Sequence, residues 1–238
     1  MARGLFIAGT DTGVGKTLVT AALGLALRAQ SIRAGAMKPI ETGIVCGPMP
    51  DSLRLKSILG LKEPIEALSP YRFADPLAPA VAAYLEGRKL ELAVVAEAFE
   101  ALLSAYELIL VEGVGGLLVP LAPGIFVSDL IAFLGLDVLL VARKGLGTIN
   151  HTLLSLGALE AKGLRCVGVV LNDTEGKGGL AESTNPKAIQ GLIGVPLLGV
   201  FPHLSEKERE DVESLKKAAI QSLDIKTLLS GALSESPN

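Results

Sequence analysis

Short uninterrupted apolar runs alternate along the chain with longer segments in which apolar residues recur at helical spacing. Such runs are typical of strands that are buried on both faces of a sheet. They predict strands at 4–9, 33–38, 108–112, 138–142, 166–171 and 196–200. The longer segments predict helices at 18–29, 51–59, 90–105, 128–134, 150–162, 186–193 and 208–230. This alternation favours an α/β fold with a mostly parallel sheet and helices on both of its faces.

The segments between these elements are rich in glycine, proline and polar residues. We expect loops at 40–50, 60–80 and 176–183, and a frayed terminus at 234–238. The chain contains no internal repeat and no low-complexity segment. A length of 238 residues is then compatible with one domain spanning residues 1–238.

Composition excludes several classes of function. Half of the residues are apolar, the formal net charge is −3, and no basic block occurs, so the electrostatic footprint of a nucleic-acid-binding protein is missing. The longest uncharged run, 113–128, is interrupted by prolines and glycines and does not predict a membrane helix. Two cysteines, Cys46 and Cys166, are typical of reduced cytosolic thiols rather than of a disulfide framework. Because the amino terminus also lacks a secretory signal, we expect a cytoplasmic protein that binds neither nucleic acid nor membranes.

Between the first strand and the first helix lies the segment Gly9-Thr10-Asp11-Thr12-Gly13-Val14-Gly15-Lys16-Thr17. It matches the phosphate-binding pattern G-x-x-x-x-G-K-[ST], except that its first glycine stands one position early. The glycines allow consecutive backbone N–H groups to converge on an anion, and the helix start adds the positive end of its dipole. In this pattern Lys16 reaches the outer phosphates of a nucleotide and the Thr17 hydroxyl binds Mg²⁺. The alternative is a glycine-rich turn with a solvated lysine.

Polar residues end three of the predicted strands, at Lys38, Glu112 and Asn172. Ligands of open α/β sheets bind at the carboxyl ends of the strands. Glu112 is therefore a candidate for the acidic residue that holds the metal ion in P-loop proteins, although it is equally a residue type that emerges into solvent. Asp51 is the second metal candidate, and its alternative role is to cap the following helix.

Lys38 follows a short strand and is bracketed by Met37 and Pro39. We expect its ammonium group at the same sheet edge as that of Lys16, where two cations suit a substrate that becomes more anionic as it reacts. The alternative is a strand-end lysine that extends into solvent. Thr12 and Thr42 are hydroxyl donors that either orient a substrate or occupy ordinary turns.

Three further segments are weaker candidates. The turn 145–148 opens a helix, and its free N–H groups suit a carboxylate. His151, in that helix, has no nucleophile or paired acid near it in the sequence, so we expect it to cap or to pack. Candidate contacts to a nucleotide base lie at two other strand ends, at Asn172-Asp173 and at Pro202-His203-Leu204.

Together these segments resemble the dethiobiotin synthetases, ATP-dependent enzymes of biotin biosynthesis that have the P-loop nucleoside-triphosphate hydrolase fold. Four blocks carry the resemblance: Gly9 to Thr17, Lys38-Pro39-Ile40-Glu41-Thr42-Gly43, Val111-Glu112-Gly113-Val114-Gly115-Gly116, and Leu146-Gly147-Thr148-Ile149-Asn150-His151-Thr152. With the segments at 172–173 and 202–204 they run in order through most of the chain. Many relatives have an acidic residue where this chain has Gly13.

The resemblance implies a reaction among ATP, CO₂ and 7,8-diaminononanoate. A carbamate formed on one amine attacks the γ-phosphate, and the second amine then closes a cyclic urea with release of phosphate. The task is phosphoryl transfer between two anions, so alignment and charge neutralisation carry the catalysis.

The resemblance also implies roles for individual residues. Lys16 and Lys38 are the catalytic cations, and Thr12, Thr42, Leu146, Gly147 and Asn150 contact the diamine substrate. Thr17, Asp51 and Glu112 hold Mg²⁺. The implied nucleotide contacts are Gly13, Val14, Gly15, Lys16, Thr17, Leu18, Asp51, Glu112, Gly113, Val114, Gly115, Asn172, Asp173, Pro202, His203 and Leu204. Family members are homodimers whose substrate lies at the interface, with its carboxylate near Asn150 of the other subunit.

Two other functions compete with this interpretation. The P-loop amidases of corrin synthesis carry an additional glutaminase domain, for which this chain is too short. A nucleotide switch that binds a partner protein needs no substrate lysine at position 38. Asp11 stands where the partition and cell-division ATPases have a signature lysine, which argues against that branch.

Overall fold

The computed structural model describes residues 4–45, 49–176 and 178–232. The expected frayed end at 234–238 and Cys46 lie outside these residues.

Strands and helices alternate through the described chain. The strands are β1 (Gly4–Gly9), β2 (Ala34–Met37), β3 (Ile40–Thr42), β4 (Tyr71–Phe73), β5 (Leu108–Gly116), β6 (Pro120–Ala122), β7 (Ile125–Phe126), β8 (Asp137–Arg143), β9 (Cys166–Asn172) and β10 (Leu197–Phe201). The helices are α1 (Lys16–Ala29), α2 (Asp51–Leu59), α3 (Ile65–Leu68), α4 (Pro79–Leu85), α5 (Leu92–Leu102), α6 (Val127–Leu134), α7 (Thr148–Ala161), α8 (Leu180–Gln190), α9 (Glu206–Glu210), α10 (Val212–Ser222) and α11 (Ile225–Ala232).

Six strands form one sheet in the order β10-β9-β8-β1-β5-β2, and every neighbouring pair is parallel. All six residues of β1 are buried. Because side chains alternate between the faces of a strand, burial of the whole run means that both faces of the sheet are covered. The predicted parallel α/β architecture is therefore confirmed.

Two small ribbons flank the main sheet. Strands β3 and β4 pair in parallel, with Glu41 opposite Arg72, and β6 pairs antiparallel with β7. No helix within the described ranges is both long and apolar enough to cross a bilayer.

Several predicted boundaries are wrong. The expected loop 40–50 contains β3, and the expected loop 60–80 contains α3, β4 and the start of α4. Both regions gain regular structure because β3 and β4 satisfy each other's backbone groups, a long-range pairing that local composition does not reveal. Asp51 is the first helical residue of α2 rather than its cap, since the cap position is Pro50.

Helix α8 also starts earlier than predicted, at Leu180 rather than at Pro186. Asn185 anchors this helix by donating hydrogen bonds of 3.0 Å to the carbonyl groups of Lys144 and Gly145. The predicted helix 208–230 is divided into α9, α10 and α11, because Asp211 and Asp224 each accept a hydrogen bond from the first turn of the helix that follows.

Candidate active site

A cavity of about 670 Å³ opens at the carboxyl edge of the main sheet, between the β1–α1 loop and α2. It brings together fourteen of the residues predicted from the sequence: Thr12, Gly13, Gly15, Lys16, Thr17, Leu18, Lys38, Thr42, Asp51, Glu112, Val114, Gly115, Asn172 and Asp173. These residues come from positions up to 161 apart in sequence, counted from Thr12 to Asp173. The rule that ligands bind at the carboxyl ends of parallel strands locates this cavity correctly.

The β1–α1 loop has the backbone of a phosphate cradle. Gly13 and Gly15 adopt left-handed conformations, with φ of 73° and 87°. Gly15 is the cap residue of α1, and as a glycine it makes no side-chain cap hydrogen bond. The first N–H groups of a 14-residue helix therefore face the cavity region where an anion would lie.

Lys16 is held against the backbone of the same loop. Its Nζ donates hydrogen bonds to the carbonyl oxygens of Asp11 (3.1 Å) and Gly115 (2.8 Å). The side chain is only 6% exposed, and burial together with the nearby Lys38 ammonium group lowers the pKa of Lys16 to about 8. Lys16 thus lines the cavity as a buried amine whose pKa is lowered. An anionic ligand bound beside it would favour its charged form.

A buried ion cluster lies beside this lysine. Lys38 Nζ is 2.6 Å from Glu112 Oε1 and 2.8 Å from Asp51 Oδ2. The Thr17 hydroxyl donates a 2.7 Å hydrogen bond to the same oxygen of Glu112. Lys38 and Glu112 meet because β2 pairs with β5 so that Met37 lies opposite Val111, and the two charged residues follow directly.

Burial and charge together determine the ionisation of this cluster. Burial alone would lower the pKa of Lys38, but the carboxylates of Glu112 and Asp51 outweigh it and raise that pKa above its usual value. Burial would likewise raise the pKa of Asp51, and the Lys38 ammonium group overrides this and lowers it. Burial raises the pKa of Glu112, although the Lys38 ammonium group opposes that shift. Lys38 and Asp51 therefore form a charged pair beside Glu112. The alternatives in which Lys38 or Glu112 extends into solvent are wrong, since both are at most 5% exposed.

The donor set suits a magnesium ion. The described residues contain no group of three or more His, Cys, Asp and Glu side chains that could hold a metal ion by themselves. Mg²⁺ in nucleotide sites, however, takes one or two carboxylates and completes its octahedron with phosphates and waters. Glu112 Oε2 is buried, and nothing in the described part of the chain hydrogen-bonds to it, which leaves an acceptor oxygen for a cation. Thr17, Asp51 and Glu112 therefore fit the ion.

Asn172 approaches the phosphate loop from β9. Its Nδ2 donates a 2.9 Å hydrogen bond to the Val14 carbonyl group, while its Oδ1 is buried without a partner among the described residues. Only a glycine fits at position 15, because a Cβ atom there would lie 2.0 Å from Asn172 Nδ2. The close contact locks the loop against β9 and leaves one acceptor of Asn172 beside the cavity.

Of the two segments predicted to contact a nucleotide base, only Asn172-Asp173 lines this cavity. Asp173 forms a 2.9 Å ion pair with Lys144 and accepts a 2.9 Å hydrogen bond from the Gly176 N–H group, so its carboxylate organises the loop after β9. His203 packs against Gly176. Pro202, His203 and Leu204 do not line the cavity themselves, and neither do Val14 and Gly113.

The turn at the start of α7 lies outside the cavity. Leu146, Gly147 and Asn150 are all exposed, with Leu146 86% exposed. A second cavity of about 390 Å³ separates α7 from the phosphate loop, and it is lined by Leu118, His151 and Leu154 among others. The fold of the described chain does not bring this turn to the candidate active site.

Sequence reasoning missed part of the cavity wall. The additional lining residues are Glu41, Arg54, Pro76, Leu77, Ala78, Pro79, Val119, Thr174 and Arg209. The segment Pro76-Leu77-Ala78-Pro79 lies within the expected loop 60–80, and its apolar composition is the only sequence feature that indicates a binding surface. Glu41 lies inside a motif that the resemblance already contained, but a lone glutamate two residues after a proline carries no local signal of burial.

Comparison with known proteins identifies the family and the fold of this chain. The family model described as an AAA domain matches residues 3–211. Among solved structures, the septum site-determining protein MinD of Pyrococcus horikoshii, complexed with Mg-ADP, has a TM-score of 0.58 at 20% identity and covers 98% of this chain and 95% of its own. A ParA family ATPase of Chlorobium tepidum has a TM-score of 0.55 at 16% identity, covering 99% and 100%. At these identities the likeness establishes the P-loop fold and nothing finer.

Curated relatives are much more similar in sequence. An ATP-dependent dethiobiotin synthetase of Anaeromyxobacter sp. (strain K) is 47% identical over 92% of this chain and 99% of its own length. The enzyme of the same name from Thermodesulfovibrio yellowstonii is 40% identical over 97% and 100% of the two chains. The one from Bacillus licheniformis is 40% identical over 90% and 92%. On this evidence the chain belongs to the family of ATP-dependent dethiobiotin synthetases.

Proposed function

We propose that this protein is a dethiobiotin synthetase that carboxylates 7,8-diaminononanoate with CO₂ and closes the ring at the expense of ATP, which makes it a cyclo-ligase forming carbon–nitrogen bonds. The observation that carries the proposal is the convergence of Lys16, Lys38 and the Asp51–Glu112 carboxylates on one cavity beside a phosphate cradle. Family membership supplies the identity of the substrates.

The reaction has three steps. One amine adds to CO₂ and loses a proton to give a carbamate. A carbamate oxygen attacks the γ-phosphorus of ATP and expels ADP, giving a carbamic–phosphoric anhydride. The second amine attacks the carbamate carbon and loses a proton, and the carbon–oxygen bond breaks to release phosphate and the cyclic urea.

The two lysines act on the step that joins two anions. Lys16, at the start of α1, neutralises the outer phosphates, and Lys38 neutralises the carbamate as its oxygen approaches phosphorus. The hydroxyl groups of Thr12 and Thr42 face the same cavity and orient the carbamate end. Thr17, Asp51 and Glu112 would hold Mg²⁺, which supplies charge neutralisation on the phosphate oxygens when it is bound.

The cavity also has a wall for the hydrocarbon part of the substrate. Pro76, Leu77, Pro79, Val114 and Val119 contribute apolar surface to the cavity lining. An apolar wall with a few polar groups at one end suits a chain of methylene groups with a reactive amine at its end. The nucleotide base is accommodated by Asn172 and the loops after β9 and β10.

The proposal predicts ATP hydrolysis that depends on the diamine. With bicarbonate and MgATP present, adding 7,8-diaminononanoate is expected to raise phosphate release at least about tenfold, with one cyclic urea formed per phosphate. Mass spectrometry detects the urea, and a coupled phosphate assay measures the rate. Equal hydrolysis with and without the diamine, and no urea, would instead indicate a nucleotide switch and would contradict the proposal.

We further propose a homodimer in which the turn 146–150 of each subunit completes the substrate site of its partner. Leu118 and Leu154 are 61% and 65% exposed, and both line the cavity beside the phosphate loop. Exposed apolar side chains in one patch favour a protein partner. The free N–H groups and the Asn150 amide at the start of α7 would bind the substrate carboxylate.

Leu154→Glu tests the dimer. Because it places a charge in the apolar patch, we expect a monomer by sedimentation equilibrium and a rise in KM for the diamine, with ATP binding unchanged. Ile220→Glu on α10 is the matched control, since Ile220 is also half-exposed but lies away from α7. A dimer that persists in Leu154→Glu, or a native protein that is monomeric, would rule out this arrangement.

A further inference from the structure

Glu41 is a buried carboxylate to which neither the sequence motifs nor the mechanism above assign a role. It lies on β3 between Lys38 and the first residue of α2, and its side chain is at most 4% exposed. A buried carboxylate is costly unless several groups donate to it or pair with it. Its neighbours therefore indicate what it does.

The partners of Glu41 are at the start of α2 and on β4. Glu41 Oε1 accepts a 3.2 Å hydrogen bond from the Ser52 N–H group, and Oε2 accepts a 2.5 Å hydrogen bond from the Ser52 hydroxyl. Arg72 Nε lies 3.9 Å from Oε2. Both oxygens thus converge on a single residue, Ser52, which is itself buried.

Within the part of the chain that the structure describes, no cap residue donates or accepts a side-chain hydrogen bond at the start of α2. Its cap position is Pro50, which offers no side-chain hydrogen bond. Glu41, on the neighbouring strand β3, takes the place of a capping residue next to the helix. It accepts a hydrogen bond from a first-turn N–H group and places negative charge at the positive end of the helix.

The residue before Ser52 is Asp51. Its carboxylate pairs with Lys38 Nζ at 2.8 Å although its side chain is 45% exposed, so packing alone does not hold it in place. Glu41 fixes the backbone one residue further on, and β3 is in turn fixed by its pairing with β4, in which Glu41 lies opposite Arg72. One carboxylate thereby ties β3 to the first turn of α2.

We infer that Glu41 is a positioning residue that holds Asp51 at the metal end of the active site through Ser52. This inference rests on the proposed role of Asp51 in binding Mg²⁺. Groups that orient metal ligands from behind commonly change metal affinity by about 10–100-fold when they are removed. Glu41→Ala is accordingly expected to weaken Mg²⁺ binding in the nucleotide complex by about tenfold or more, while leaving the affinity for metal-free ATP within about twofold.

The chain offers a closely matched control. Asp224 accepts hydrogen bonds from both the N–H group and the hydroxyl of Thr227, at 2.9 and 2.6 Å, at the start of α11. This is the same pair of bonds that Glu41 makes with Ser52, but at a helix remote from the cavity. Asp224→Ala is expected to lower the thermal midpoint without any change in Mg²⁺ affinity.

The experiment measures Mn²⁺ binding to the ADP complex by electron paramagnetic resonance, and the Mg²⁺ concentration that gives half-maximal turnover. Both are measured for Glu41→Ala, Asp51→Asn, the double variant and Asp224→Ala. If Glu41 acts through Asp51, Glu41→Ala has no further effect on metal affinity once Asp51→Asn is present, although its effect on the thermal midpoint remains. Should Glu41→Ala fail to fold, Ser52→Ala removes only the hydroxyl contact and is expected to weaken metal binding about threefold.

Three outcomes would overturn the inference. If Glu41→Ala leaves metal affinity unchanged while Asp51→Asn lowers it, Glu41 only caps the helix. A raised KM for the diamine with normal metal affinity would make Glu41 a substrate contact. Unchanged metal affinity in Asp51→Asn itself would refute the metal role of Asp51, which is a failure of the proposed function rather than of the positioning argument alone.

Discussion

Replacing Lys38 by methionine is expected to reduce turnover by at least about 10²–10³-fold while ATP still binds. Loss of one preorganised donor to a developing charge commonly has this effect, and the proposed mechanism assigns Lys38 the role of neutralising the carbamate. Lys16 and the backbone of the phosphate loop remain in place, so nucleotide affinity is expected to change by less than about threefold. Turnover is measured by urea formation, and affinity by calorimetric titration with ATP.

The same substitution is expected to destabilise the protein. Removing one partner of a buried ion pair leaves an uncompensated charge, which typically costs about 3–5 kcal/mol. Here the uncompensated group is Glu112, which is 1% exposed. The double variant Lys38→Met/Glu112→Gln removes that charge and is expected to recover most of the free energy of unfolding without recovering turnover.

This pair of variants separates chemistry from folding. Lys162→Ala is the control for the loss of an ordinary ion pair, since Lys162 pairs with Asp129 at 2.6 Å on the surface and does not line the cavity. We expect it to retain full turnover. An equal loss of ATP affinity and turnover in Lys38→Met would mean that Lys38 is a phosphate or structural residue, and the assignment would have to be abandoned.

Gly15→Ala is expected to abolish nucleotide binding, with a loss of at least about 100-fold in ATP affinity. The left-handed backbone at φ of 87° costs an L-residue about 1–2 kcal/mol. The new Cβ atom would in addition lie 2.0 Å from Asn172 Nδ2, and Asn172 could move only by giving up its hydrogen bond to the Val14 carbonyl group. A buried donor left without a partner costs about 1–3 kcal/mol more.

Gly13→Ala is the matched control for Gly15→Ala. Gly13 lies in the same loop at a φ of 73°, but a Cβ atom there meets nothing within 4 Å. Gly13→Ala therefore introduces only the strain of a left-handed backbone, and we expect ATP affinity to fall by less than about tenfold. Urea denaturation and calorimetric titration of both variants provide the comparison. Similar losses in the two would show that backbone strain, and not the contact with Asn172, determines the need for glycine at position 15.

Local sequence determined those features of this protein that depend on residues adjacent in the chain. The apolar run of β1 predicts a strand buried on both faces because each of its side chains must leave water. The glycines and the Lys16-Thr17 pair predict the phosphate cradle because its atoms come from one continuous turn. The family resemblance likewise rests on such contiguous blocks, and the comparisons confirm it.

Ligands of open α/β sheets bind at the carboxyl ends of the strands, and this rule predicted that Lys38, Glu112 and Asn172 share an edge of the sheet. It did not predict which of them touch. Only the strand order makes β2 and β5 neighbours, and only their register places Lys38 beside Glu112, 74 residues away. Strand order is decided by the packing of the whole core, which no local window of sequence contains.

Tertiary structure alone decided the surroundings of Asp51. The sequence between Lys38 and Asp51 predicts a loop, whereas pairing of β3 with β4 orders its first part and delivers the Glu41 carboxylate to Ser52. The turn at 146–150 shows the opposite case, because its motif is clear in the sequence and yet it lies outside the cavity. Short sequence motifs thus determined which functional groups the site contains. The distances between those groups were determined by long-range burial and hydrogen bonding, because such contacts form only when the whole chain folds.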